Sequence, residues 1–268
     1  MIDYGKYNLL GVLIDAVDYE ATVARIMAAA KAHQPYSVSA MAVHGVMTGV
    51  LDATHRYRLN RLDMIVPDGQ PVIWGLNWLY NLRLPDRVYG PALTLKICEE
   101  AEREGLSVYL YGSRPIVLSA LIERLSKQFP KLIFAGSQPS RFSRISAQEQ
   151  QQIAETIRIS GAAIVLIGLG CPRQEVWIYE NREFLSLPCL AVGAAFDFHA
   201  GLLPQAPITL QSLGLEWVFR LYKEPGRLWK RYILLNPLYL ALLLFQKLNI
   251  KRFELSTVSI PAKKQYYG

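Results

Sequence analysis

Asp68 stands between Pro67 and Gly69, directly after the apolar run 64–66. A carboxylate in that position can do one of two things. It can bond the backbone of its own turn, or, facing a cleft, it can take a proton from a substrate hydroxyl. Four other segments carry polar or glycine residues after an apolar run. They are Ser39-Ala40-Met41-Ala42-Val43-His44, Gly112-Ser113-Arg114-Pro115, Gly168-Leu169-Gly170-Cys171-Pro172-Arg173-Gln174-Glu175 and Gly193-Ala194-Ala195-Phe196-Asp197. Gly or Asp alone commonly makes a strand–helix turn, but five such ends together point to a ligand cleft. Gly112-Ser113-Arg114 and Gly168-Leu169-Gly170 each precede a helical pattern, where free N–H groups and the helix dipole suit a phosphate. Arg173 stands where a GxGxxG run would need glycine, and there is no Walker A run. Both facts count against NTP hydrolysis and weaken a dinucleotide-binding oxidoreductase. Asp197 and His199 could share a metal, or could be a capping carboxylate beside a partly buried imidazole. With no Asp-x-Asp pair in the chain, neither metal nor cofactor is expected.

These residues need strands to carry them. Apolar runs at 8–14, 36–41, 64–66, 107–111, 131–135, 163–167 and 188–192 alternate with helical patterns. Such alternation implies an α/β fold, a parallel sheet with helices on both faces. From 207 onward the pattern is helical only, over 211–222 and over 227–247 with an interruption at Pro237. The expected organisation is an α/β domain, 1–205, and a helical appendage, 206–268.

Charge separates the same two parts. The chain of 268 residues carries +7, yet from Arg220 onward ten Lys/Arg face only Glu224 and Glu254, a balance of +8 that leaves −1 for the rest. A basic segment can meet nucleic acid, an anionic membrane or a phosphorylated substrate. The adjoining Leu-rich run disfavours nucleic acid and suits an anionic interface. Its uninterrupted part, 238–245, is far shorter than the ~20 residues of a spanning helix. No signal peptide is evident at the N-terminus. The expected location is cytoplasmic, bound peripherally to the inner face of the membrane. An apolar fraction of 51% excludes a disordered chain. Cys98, Cys171 and Cys189 form no CxxC pair and suit small buried roles in a reducing compartment rather than disulfides or zinc.

Several segments in one order carry a family resemblance: Pro67-Asp68-Gly69, Arg87-Val88-Tyr89-Gly90, Gly168 through Trp177, Gly193 through Gly201, Leu215-Glu216-Trp217, and Glu224-Pro225 leading into 227–232. The run resembles the WecG/TagA/CpsF glycosyltransferases from about Gly11 to Pro237. The resemblance implies a Rossmann-like fold with a membrane-directed C-terminal appendage. It also implies inverting, metal-independent transfer from a UDP-sugar to a polyprenyl-diphosphate-linked sugar. Under it Asp68 matches the catalytic base, while Gln174 and Asp197 match donor-site positions. Arg220, Arg227 and Lys230 match basic positions that reach the lipid diphosphate. Gly112, Ser113, Arg114 and Gly168 complete the expected donor side, and His44 and Arg87 the acceptor side. Many members carry Thr-x-Asn where this chain has Ala40-Met41-Ala42, so both an N-acetylmannosamine-type and a glucose-type donor stay open. The competing readings are the oxidoreductase and a noncatalytic membrane-docked scaffold. Oligomeric state is not legible.

Overall fold

A computed structural model describes residues 1–255 and 259–268, apart from the side chains of Ile208, Ser212, Arg227 and Arg231. Its first departure from expectation is at the start. The apolar run 8–14 is not one strand but the turn of an antiparallel hairpin, β1 (Asp3–Leu9) and β2 (Val12–Val17). Leu10 and Gly11 make the two-residue turn with φ of 56° and 88°. Positive φ at both positions matches the twist of a tight hairpin. Leucine is a poor signal for such a turn; here it is buried, and its N–H donates to Gln246 Oε1 at 2.9 Å.

The alternating pattern then follows as expected. The elements are α1 (Tyr19–Lys31), β3 (Tyr36–Met41), α2 (Val43–Leu51), α3 (Ala53–Leu59), β4 (Met64–Pro67), α4 (Gln70–Tyr80), α5 (Gly90–Glu104) and β5 (Ser107–Gly112). They continue with α6 (Pro115–Gln128), β6 (Ile133–Gln138), α7 (Ala147–Ile159), β7 (Ile164–Gly168), α8 (Arg173–Asn181), β8 (Pro188–Ala191) and α9 (Ala195–His199). β3 to β8 form one parallel sheet in the order β4-β3-β8-β7-β5-β6.

Side chains alternate along each strand, so the sheet has two buried faces. Met41, Ile65, Tyr111, Val165 and Ile167 pack on one face with Val46, Leu76, Ile157 and Trp177 from α2, α4, α7 and α8. Val38, Val66, Leu110, Leu166 and Leu190 pack on the other with Ile26, Ile97, Leu121 and Phe196 from α1, α5, α6 and α9. The hairpin protects the β4 edge. Asp15, buried on β2, accepts the Ile65 N–H at 2.7 Å and Lys6 Nζ at 3.0 Å. An edge amide that could template another strand is thereby occupied.

The C-terminal helices differ from expectation twice. The helix expected over 211–222 is split into α10 (Ile208–Ser212) and α11 (Glu216–Lys223), with Gly214 between them at φ 69°. The break expected at Pro237 is absent. α12 (Pro225–Lys230) runs through a π-turn at Arg231–Leu235 into α13 (Asn236–Lys247), with Pro237 in the first turn of α13. A wider π-turn accommodates a proline whose ring would clash with a regular preceding turn. The run Leu228–Lys247 is therefore long and apolar enough, by length and composition, to cross a membrane. One face of α13 nonetheless packs on the α/β part. Tyr239 and Leu243 are buried, Tyr239 Oη donates to the Pro71 carbonyl at 2.9 Å, and Gln246 Nε2 donates to the Asn8 carbonyl at 2.8 Å. A Cβ on Gly75 would lie 2.5 Å from Tyr239 Oη, so glycine lets the two helices meet.

Candidate active site

The carboxyl ends of β3, β4, β5, β7 and β8 open into a cleft of about 590 Å³, which α11 and the start of α13 also border. Ligands of open parallel sheets bind at this end of the strands. His44, Asp68, Arg87, Ser113, Arg114, Gly168, Gln174, Asp197 and Arg220 of the expected site line it, whereas Gly112 does not.

Asp68 follows β4, with its own N–H held by the Met41 carbonyl at 3.1 Å. Its Oδ1 accepts the N–H of Gly90, at the start of α5, at 2.5 Å. Burial pushes its pKa above the ordinary carboxylate range, and the charge of Glu216 adds to the rise. The Gly90 N–H, Arg87 and Arg220 hold it back. The result is a carboxylate that is fixed in place and more basic than a surface aspartate, as a proton acceptor requires.

Arg87, expected at the acceptor diphosphate, is buried and committed within the protein. Its Nη2 meets Glu216 Oε2 at 2.7 Å and Gln211 Oε1 at 3.3 Å, and its guanidinium lies 4.1 Å from the Tyr89 ring centroid. Tyr89 Oη donates to the other Glu216 oxygen at 3.0 Å. Glu216, the first residue of α11, thus fastens the C-terminal helices beside Asp68. Sequence reasoning gave Glu216 and Tyr89 no role. Both stand in the segments that carry the family resemblance, but a pair 127 residues apart leaves no local pattern.

Behind the opposite wall, Gly112 has φ 106°, and a Cβ there would lie 2.9 Å from the backbone of Gly168. A Cβ on Gly168 would lie 2.6 Å from the Phe196 ring. Glycine at both positions keeps β5, β7 and α9 close. Ser113 also has positive φ, 61°, and is buried. The expectation of free amides at these turns is corrected for two of them. The Ser113 N–H donates to the Gly168 carbonyl at 3.1 Å, and the Gly170 N–H to Gln174 Oε1 at 3.0 Å. These amides hold the wall together. Gln174 is likewise engaged, its Nε2 donating to Glu175 Oε1 at 2.9 Å. Asp197 and Arg114 face each other at 3.5 Å, with Arg114 mostly exposed at the rim.

His44 lies in the first turn of α2 and borders the cleft beside Ala40 and Ala42. Arg220, on α11, reaches the same space; its Nε is buried with no hydrogen-bond partner among the described residues. Lys230 is exposed beside Trp229 and does not line the cleft. Arg227 lies in α12, and its side chain falls outside the described residues. His199 engages α5 instead, its Nε2 2.8 Å from the Pro91 carbonyl. The cleft carboxylates Asp68, Asp197 and Glu216 are each matched to an N–H donor or an arginine.

A parallel α/β sheet whose strand ends set a basic carboxylate among arginines is an enzyme scaffold suited to proton-assisted transfer of a group from an anionic leaving group. Residues 7–253 match the family model described as glycosyl transferase WecG/TagA/CpsF family, and the chain belongs to that family. It is a glycosyltransferase. Two proteins named N-acetylglucosaminyldiphosphoundecaprenol N-acetyl-beta-D-mannosaminyltransferase are similar to it. The one from Bacillus spizizenii is 29% identical over 194 residues, covering 72% of this chain and 73% of that protein. The one from Bacillus subtilis is 29% identical over 196 residues, covering 73% of each.

Proposed function

We propose that this glycosyltransferase moves a sugar, with inversion, from a UDP-sugar to a sugar carried on a polyprenyl diphosphate. The observation that carries the reading is Asp68, fixed by the Gly90 N–H and made more basic by burial, in a cleft shared with Arg87, Arg114 and Arg220. The names of both Bacillus proteins support a lipid-diphosphate acceptor and favour an N-acetylmannosamine-type donor over a glucose-type one.

The step is a single displacement. The acceptor hydroxyl oxygen attacks the anomeric carbon from the face opposite UDP, and Asp68 takes its proton. The bond from the anomeric carbon to the diphosphate oxygen breaks, and UDP departs with the electron pair. Arg114 and Arg220, whose Nε has no hydrogen-bond partner among the described residues, are the cations placed to meet the negative charge that develops. Arg87 acts on Asp68 through its charge, since its hydrogen bonds are spent on Glu216 and Gln211. Ser113, Gln174 and the glycines at 112 and 168 shape the donor side, Asp197 orients Arg114, and His44 faces the sugars. Lys230, exposed outside the cleft, adds to the basic surface that would meet the lipid diphosphate.

The membrane surface supplies the acceptor. Ile233, Leu234, Leu240 and Leu244 are exposed on the same stretch of helix whose other face is docked on the protein through Tyr239 and Leu243. A helix held in that way suits lying in the interface at the cytoplasmic face more than crossing it. A screen of UDP-sugars against a lipid-linked N-acetylglucosamine acceptor tests the reaction. Transfer from UDP-N-acetylmannosamine is the expected result, and no turnover with any UDP-sugar would overturn the reading. Replacing Leu240 and Leu244 by Gln should weaken liposome binding and leave rates on a water-soluble acceptor unchanged.

A further inference from the structure

At the loop that joins β7 to α8, His55 of α3 meets Cys171 of the loop and Glu175 of α8, and their ligand atoms all lie within 4.8 Å of one another. His55 is 3% exposed and Glu175 1%. Two of their atoms, His55 Nε2 and Glu175 Oε2, have no hydrogen-bond partner among the described residues. Buried polar atoms are rarely left bare, because each has given up its water. The rest of the cluster is well supported. Glu175 Oε1 accepts from Ser39 Oγ and from Gln174 Nε2, both at 2.9 Å. The Cys171 thiol faces Glu175, with its sulfur 3.7 Å from Thr48 Oγ1.

We infer that His55 Nε2, Cys171 Sγ and Glu175 Oε2 form a site for one Zn²⁺ ion that ties α3 to the cleft loop. Imidazole, thiolate and carboxylate together are a zinc donor set, and the soft sulfur argues against magnesium or calcium. Bonds of about 2.0 Å to nitrogen and oxygen and about 2.3 Å to sulfur let one ion reach all three, with side-chain shifts of under about an ångström. The ion satisfies both orphaned atoms at once. On binding, Cys171 gives up its thiol proton to solvent, and so does Glu175 if protonated. The other Glu175 oxygen holds Gln174, which in turn holds the Gly170 N–H. The ion therefore fixes the wall of the cleft and takes no part in the displacement at Asp68.

The full-length protein, purified without chelators, should contain stoichiometric zinc by elemental analysis. Stripped protein should regain it on titration with Zn²⁺, with a rise in melting temperature. Co²⁺ added to the stripped protein should give a near-ultraviolet thiolate charge-transfer band and tetrahedral visible absorption. Cys171→Ser, at the partly exposed member of the cluster, should abolish the band. It should also weaken zinc binding at least tenfold, since losing even an outer partner of a metal ligand costs ~10–100-fold. No zinc uptake by folded, stripped protein would overturn the inference and make the cluster a hydrated polar pocket. A thiolate band that survives in Cys171→Ser would overturn it equally, by placing the ion elsewhere.

Discussion

On the Asp68 wall of the cleft, polar and charged groups interlock: Arg87, Glu216 and Tyr89 bind one another, and the charges of Arg87 and Glu216 bear on Asp68. On the β5–β7 wall, the structure is made by backbone and glycine, and its only close ion pair among the described residues, Arg114 with Asp197, sits half in solvent. The contrast fits the two tasks proposed for these walls. A group that exchanges a proton needs its field set before substrate arrives, because reorganising charges during the reaction costs rate. A surface that holds a nucleotide sugar needs room and close backbone approach, which glycine gives and a buried ion pair would obstruct.

Asp68→Asn should break the first wall most severely. It keeps the shape, removes the base, and should lower kcat by roughly 10²–10⁴-fold with little change in donor affinity, measured by single-turnover kinetics and calorimetry. Near-normal turnover in a folded variant would remove Asp68 from the mechanism.

Glu216→Gln tests whether the wall acts as a unit. Taking a charged hydrogen-bond acceptor from the buried Arg87 should cost about 1–3 kcal/mol of stability by denaturant titration. The pH profile gives a second, signed readout. The Glu216 charge raises the Asp68 pKa, so its loss should move the acid limb of kcat/KM to lower pH. In the native enzyme that limb should lie above the ordinary carboxylate range, activity falling as Asp68 gains its proton. An unmoved limb would show that Glu216 only fastens α11.

Arg114→Ala probes the open wall. A charge-assisted contact to the donor diphosphate is worth about 1.5–3 kcal/mol, so donor KM or kcat/KM should worsen by about 10- to 100-fold. Loss of the exposed pair with Asp197 should by itself barely alter the melting temperature. The smallest effect concerns added metal. Under the proposed mechanism, in which arginines meet the departing UDP, added Mg²⁺ or Mn²⁺ should leave the rate unchanged. Stimulation would make Asp197 the first ligand to test.

The parts legible in the sequence were those with a local cause. Strand ends such as Pro67-Asp68-Gly69 and Gly112-Ser113-Arg114 are punctuated by turn residues, so the cleft could be located before the sheet order was known. The hairpin escaped because Leu10 hides a positive-φ turn inside an apolar run. Pro237 read as a helix break because sequence rules assume a regular turn before it, and the π-turn at Arg231–Leu235 removes that assumption. The Ser113 and Gly170 amides looked available for phosphate because their acceptors, the Gly168 carbonyl and the Gln174 side chain, are fixed by the tertiary structure. Arg87 with Glu216, and His55 with Cys171 and Glu175, are long-range meetings that no spacing records.

The strand order has a consequence in time. β3 lies between β4, which follows it closely in the chain, and β8, which begins only at Pro188. As the polypeptide leaves the ribosome, β3 has one neighbour and an open side until most of the protein has been made. The hairpin waits longer still, since the Leu10 N–H finds Gln246 across 236 positions of chain. Long-range closures of this kind come late and fold slowly. A nascent chain therefore holds no finished cleft while its C-terminal helix is still unmade. By the time transfer chemistry becomes available, the apolar helix is already out of the tunnel and able to meet a lipid surface.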